Sequence, residues 1–338
     1  MTTPASDIVI GNFSRRTVLT GAGWTRNWGG RLAVELWQDL TGCKAVQSNP
    51  RLCDLLKQEP SFEIALSKVQ SDPFTHEDRR TFQMVLLDAF IAMDREVARL
   101  DSDHGINIYK VQELLFRFFG QPGQGFDTGY MFTLNQDLWP ERYLYNEHVS
   151  GAAGGSLPGI QRLPNQGLFT GDLGAYSQEF VMNPAVDPKT HGSLRQRFNI
   201  IKLHGSFNWR TTAGRDEMIV GTGKTKQIAT SPLLSWYWDI FRRVLSAGGV
   251  RLLIAGYGFG DEHVNAAIAC AIQRYDLRVF IWDVRSDLRE RVVAMPHGKA
   301  IWQGLLSTST RSLMEVFPSG DHTETGESRR IRETLFGR

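Results

Sequence analysis

Five short runs of this chain are almost continuously apolar: 17–20, 130–133, 199–203, 251–255 and 278–282. They are rich in Val, Ile, Leu or Phe and show no alternation of wet and dry positions. That is the pattern of strands covered on both faces in a parallel sheet. Four of the five are followed at once by Gly21, His204, Gly256 or Asp283. Ligands of open α/β sheets bind beyond the carboxyl ends of the strands, so these residues fall where that architecture places its site. Between the runs the period changes. Leu32, Leu36, Trp37 and Leu40 share one helical face. The spacing predicts a long helix over 81–100, with Phe82, Val85, Leu86, Ala89, Ile91 and Met93 apolar, and another over 111–119. The predicted fold class is α/β, a parallel sheet flanked by helices and carrying a helical insertion. The core is expected at 1–44 and 126–300, the insertion at 45–125, and a C-terminal tail at 301–338.

The segment 146–175 is different, with seven glycines and two prolines between Gly151 and Gly174. A loop of that length is expected to be a lid, a binding loop or a disordered stretch. Bulk composition changes the picture little. The chain has 338 residues, 41% hydrophobic and 22% charged, with a formal net charge of +2. This is ordinary for a globular protein and gives no electrostatic case for direct nucleic-acid binding. No run of about 18 apolar residues predicts a membrane span, and the first residues lack the pattern of a secretory signal. A cytoplasmic location is the expectation. The three cysteines, Cys43, Cys53 and Cys270, form no CxxC pair, so neither a disulfide framework nor a zinc module is expected, and no metal is predicted.

Five constellations carry candidate chemistry, and each alone admits a bland reading. Gly21-Ala22-Gly23-Trp24-Thr25 follows a strand and can approach a phosphate, or can simply be a tight turn. The dinucleotide fingerprint is not met, because Arg26 stands at its third glycine. In Thr133-Leu134-Asn135-Gln136-Asp137 the amide and the acid can face one cleft, or can cap the next helix. His204, in Lys202-Leu203-His204-Gly205-Ser206, can act as a base or hold a ribose hydroxyl, or can be a satisfied structural histidine. Gly256-Tyr257-Gly258-Phe259-Gly260-Asp261, with Asn265 shortly after, is a second glycine turn or a turn with an N-cap. Asp283 suits ribose hydroxyls, or is a solvated strand end. Gly223-Lys224-Thr225 resembles the end of a phosphate-binding P-loop, but Met218 stands where that motif needs its first glycine. A loop near the ligand mouth is the expectation there.

The order of these motifs resembles the sirtuin superfamily, specifically its bacterial sirtuin-like, zinc-free antiphage-defence branch, over about 17–43 and 129–290. The resemblance implies a Rossmann-like sheet and NAD as substrate. It implies catalytic roles for Asn135 and His204, with Asp137 orienting the site. It places NAD-binding positions at Gly21, Ala22, Gly23, Thr25, Thr133, Gly256, Gly258, Asp261 and Asp283. The implied activity is an NAD glycohydrolase that yields nicotinamide and ADP-ribose and acts as an abortive-infection effector. Protein deacylation, ADP-ribosyl transfer and a non-catalytic NAD or ADP-ribose sensor are the alternatives. A homo-oligomer and a protein activator in trans are expected, of the HerA-type ATPase or short Argonaute kind. The insertion and the tail, with Arg329, Arg330, Arg332 and Arg338, are the candidate contact surfaces.

Overall fold

The computed structural model describes residues 10, 13–59, 61–99, 105–119, 128–144, 157–160, 198–211, 216–320 and 323–337. The strands are β1 Arg16–Thr20, β2 Gly129–Thr133, β3 Phe198–Lys202, β4 Gly205–Arg210, β5 Asp216–Met218, β6 Arg251–Ala255, β7 Arg278–Trp282 and β8 Leu305–Ser309. Six of them form one parallel sheet in the order β3-β2-β1-β6-β7-β8, and β4 and β5 form a separate antiparallel pair. The sheet order reverses between β1 and β6, so their carboxyl ends make the switch point of a Rossmann-like fold. All five predicted strands are present. Their apolar residues are buried on both faces, Val18, Met131, Ile200, Leu253 and Phe280 being fully enclosed.

The register brings the strand ends level. Thr20 pairs with both Thr133 and Ala255, Thr133 with Lys202, and Ala255 with Trp282. The residues just beyond that row, Gly21, Asn135, His204, Gly256 and Asp283, thereby gather along one edge.

Helices α1 Ala22–Thr25, α2 Ala33–Gly42, α3 Lys44–Gln47, α4 Pro50–Gln58, α5 Phe62–Val69, α6 His76–Val97 and α7 Ile108–Phe116 fill the chain between β1 and β2. The long helix starts before the apolar stripe does. Thr75 and Asp78 form a reciprocal capping box that fixes its first turn. The remaining helices are α8 Trp139–Leu144, α9 Lys224–Thr230, α10 Pro232–Leu245, α11 Glu262–Tyr275, α12 Leu288–Ala294, α13 Gly298–Gln303, α14 Leu313–Val316 and α15 Gly326–Phe336. Among the described residues no helix is long and apolar enough to cross a membrane.

Two expectations need adjustment. The stretch read as a tail from 301 is part of the core: β8 is the sixth sheet strand, and Ile301, Ile331 and Leu335 are buried. Three of the tail arginines offered as a candidate contact surface meet the chain's own acids. Arg329 and Arg332 pair with Glu324, and Arg330 with Glu327; Arg338 lies outside the described residues. Of the glycine-rich segment 146–175, only 157–160 are described, so its predicted role as a loop or lid lies outside them.

Beneath the carboxyl edge lies a buried ion pair. Lys202 Nζ donates to Glu141 Oε1 at 2.8 Å, to Ser206 Oγ at 2.8 Å and to the Asp137 carbonyl at 2.6 Å. Both charged side chains are wholly enclosed. This knot ties the segment after β2 to β3 and β4. Removing one member strands the other's charge, which typically costs about 3–5 kcal/mol. Lys202→Met is therefore expected to lower unfolding free energy by about that amount, and the double variant Lys202→Met/Glu141→Gln to recover much of it. Urea denaturation of the three proteins checks this, and an unchanged midpoint for Lys202→Met would contradict it.

Candidate active site

The floor of the site is two glycine turns pressed together. Gly21 N–H donates to the Ala255 carbonyl at 3.0 Å and Gly23 N–H to the Gly256 carbonyl at 2.9 Å. A Cβ on Gly256 would sit 2.1 Å from the Trp24 nitrogen, and the residue has φ +62°. Only glycine adopts that conformation freely and allows that approach. The Gly21 and Gly23 amides thus serve the protein's own fold, and Ala22 between them lines both of the cavities described below. Trp24, just inside α1, packs edge-on against Trp139 of α8 at 5.4 Å. This fixes the first turn against the segment that carries Asn135.

Asn135 and Asp137 separate into different jobs. The Asn135 amide nitrogen donates to the Gly21 carbonyl at 3.0 Å and to Thr25 Oγ1 at 3.1 Å. Both of its donors are then used. No hydrogen bond to its Oδ1 comes from the described residues, so that oxygen remains as an acceptor. The Thr133 hydroxyl accepts from the Asn135 backbone N–H at 3.1 Å. Thr25 and Thr133, named from sequence as NAD-binding positions, are buried, and their hydroxyls accept hydrogen bonds from Asn135. Asp137 accepts from the Trp139 N–H at 3.0 Å, so for this residue the capping reading describes the contact. Burial pushes its carboxyl up to about 6, against the pull of Lys202, the Trp139 N–H and Thr25.

His204 follows β3, and Gly205 decides where it points. Gly205 has φ +71°, and a Cβ there would lie 1.9 Å from the Glu217 carbonyl, where β5 crosses. The imidazole is buried, and burial drives its pKa down to about 3, with Lys224 and His263 adding to the effect and Asp261 opposing it. It is therefore a neutral ring at physiological pH. Its Nε2 lies 3.2 Å from Nε2 of His263, in the first turn of α11. Asp261 is the N-cap residue of α11, but its side chain makes no capping bond. It pairs with Lys224 Nζ at 2.8 Å. Burial would raise the Asp261 carboxyl, yet the Lys224 ammonium paired with it holds it below its ordinary value. Lys224 also reaches Glu63 of α5 at 2.8 Å. The P-loop-like tripeptide thus contributes a lysine to the site wall, by ion pairing rather than by a phosphate loop.

These side chains surround a cavity of about 270 Å³, lined by Gly21, Ala22, Asn135, Asp137, His204, Lys224 and Asp261, with Leu36, Phe62, Phe90 and Met93 closing it from the helical side. A second cavity of about 510 Å³ is lined by Ala22, Gly23, Gly256, Trp282, Asp283 and Arg285, among others. Ala22, Ala33 and Gly258 border both, so the two are neighbours across the glycine floor. Of the positions named from sequence, Thr25 and Thr133 line neither. Asp283 is no solvated strand end. It is buried, and Arg285 grips it through Nε at 2.7 Å and through its backbone N–H at 3.0 Å. Sequence reasoning missed His263, Glu63 and Arg285. The histidine two residues past Asp261 was the available signal for the first. Among the described residues no cluster of three or more His, Cys, Asp or Glu could hold a metal.

The depressed His204 pKa has a consequence for acid stability. An unfolded histidine protonates near 6.5 and the folded one near 3, so the unfolded state binds the extra proton between those values. Stability from this group is intact above pH 6.5 and falls as pH drops through that window. The His204 ring signals in NMR are expected to show no protonation down to about pH 5; a midpoint near 6.5 would contradict the burial argument.

No curated protein matches the chain. Residues 161–296 match the family model of the SIR2-like domain, a span that holds His204, Gly256, Asp261, His263 and Asp283 but not Gly21 or Asn135. The match, on a Rossmann-like sheet, supports a Sir2-like family for this chain and, broadly, NAD-related activity.

Proposed function

We propose that the protein is an NAD glycohydrolase, cleaving NAD to nicotinamide and ADP-ribose. The observation that carries this reading is the meeting of Asn135 and His204 in the wall of one cavity, which adjoins a second cavity ending at Asp283. A dinucleotide laid across the glycine floor would place its nicotinamide riboside in the first and its adenosine in the second. Asp283 retains lone-pair capacity for ribose hydroxyls beyond the bonds it accepts from Arg285.

The chemistry fits these groups. Nicotinamide begins as a pyridinium cation and leaves neutral, so its departure needs no protonated acid of the kind glycosidases use. Positive charge migrates to the ribose instead. The site must fix that sugar, favour the migrating charge and admit one water. Asn135 Oδ1 is an acceptor held rigidly by two bonds on its own nitrogen, suited to a ribose hydroxyl or to the attacking water. The Asp261 carboxylate, kept ionised, contributes negative potential to the same wall. Neutral His204 can take a proton. Positioning and fixed electrostatics of this kind each contribute several kcal/mol to catalysis in typical enzymes.

The finer biological reading is also a proposal. An NAD hydrolase active at all times would exhaust its own cell. A role as an abortive-infection effector, gated by self-assembly or by a partner such as a HerA-type ATPase or a short Argonaute, accounts for that.

Purified protein incubated with NAD is expected to release nicotinamide. Asn135→Ala is expected to slow the release at least about 100-fold while NAD binding persists. Binding of NAD by the wild-type protein with no cleavage in any assembly state would overturn the proposal and favour a sensor.

A further inference from the structure

His204 is enclosed, and a charge on it is disfavoured by its surroundings. Water addition to a ribosyl cation nevertheless releases one proton inside this cavity. A buried base that cannot keep a proton must have somewhere to send it. His263 lies with Nε2 at 3.2 Å from His204 Nε2, belongs to the first turn of α11, and is half-buried rather than sealed. Its ring packs against Trp238 of α10, with centroids 5.0 Å apart. The charged groups acting on the two rings are the same. Asp261 favours protonation of both and Lys224 opposes it, with Glu63 on the far side of the lysine. Burial lowers His263 too, though less of it is enclosed.

We propose that His263 is the proton outlet of this site, a positioning residue that receives through His204 the proton released in NAD cleavage and passes it to solvent. The inference rests on the NAD-cleavage reading above. The C1′–N bond breaks with its electron pair passing to the nicotinamide nitrogen, which leaves neutral. A lone pair of the water oxygen forms the C1′–O bond. The proton lost from that oxygen goes to one ring nitrogen of His204 as the Nε2 proton moves to Nε2 of His263. His263 then yields one proton to bulk water. Nothing is oxidised or reduced, and the positive charge that entered on the pyridinium leaves as that proton.

The test uses the full chain. His263→Ala is expected to lower kcat for nicotinamide release at least about tenfold, with KM changed less than about twofold. Added imidazole is expected to restore part of the rate, because the vacated position is open to solvent; it is expected to leave His263→Gln, where the space stays filled, unrescued. An unchanged kcat and pH profile, or a loss in His263→Ala that imidazole does not restore, would overturn the inference. Nitrogen-15 NMR of histidine-labelled protein needs no turnover. The His204 Nε2 signal is expected to shift in both variants, and an unmoved signal would also overturn it. If the wild-type protein releases no nicotinamide, the glycohydrolase reading fails by itself, while the NMR arm still decides whether the two rings share a proton.

Discussion

The site depends on the backbone contact between two glycine turns. The carboxyl ends of β1 and β6 are adjacent parallel strands, and the chain must leave both without colliding. Gly21, Gly23 and Gly256 allow the turns to nest, with amides of one bonded to carbonyls of the other. The Gly21 carbonyl, fixed by that nesting, then receives the Asn135 amide from β2. The larger cavity borders Gly23 and Gly256. One local constraint on side-chain size thus sets the floor between both cavities and the orientation of the central amide.

Around that floor, several buried polar side chains are held in pairs and networks that offset the cost of their desolvation. Asn135 is held by a carbonyl and a hydroxyl, Lys202 by three oxygens, and Asp283 by Arg285. The helical chain between β1 and β2 belongs to this arrangement. It supplies Phe62, Phe90 and Met93 to the cavity and, through Glu63, one end of the Lys224 bridge. Thr222 binds Ser67 of α5 by its backbone N–H at 2.9 Å, which docks the loop before α9 on the same helix. The helices therefore close the smaller cavity rather than decorating a finished core.

Much of this was legible in the chain. Parallel strands buried on both faces leave unbroken apolar runs, and five such runs gave five strands in place. Polar residues just past them gave the site edge. β8 was missed because Leu305–Ser309 is an edge strand with three of its five residues polar, and Arg330 binds Ser307 Oγ and the Thr308 carbonyl there. β4 was missed because its burial comes from tertiary packing rather than from an apolar run. Side-chain roles were less legible than positions. Spacing could not tell that Asn135 reaches across to β1 while Asp137 caps α8, that Thr25 and Thr133 stand behind the wall, or that His263 meets His204. The bonds of Asn135 to Gly21 and of His204 to His263 span 114 and 59 residues of chain, and no local pattern encodes them, whereas the Asp137 cap on the Trp139 N–H is a local contact that the sequence left open beside a site role.

The central claim is that one dinucleotide lies across the glycine floor with its nicotinamide riboside between an amide oxygen and a neutral imidazole. A crystal structure of the protein with a non-cleavable carbocyclic NAD analogue tests it most directly. The account predicts the nicotinamide-side ring beside Asn135 and His204 and the adenosine ribose beside Asp283. An analogue bound in the reverse direction, or seated outside both cavities, would contradict it.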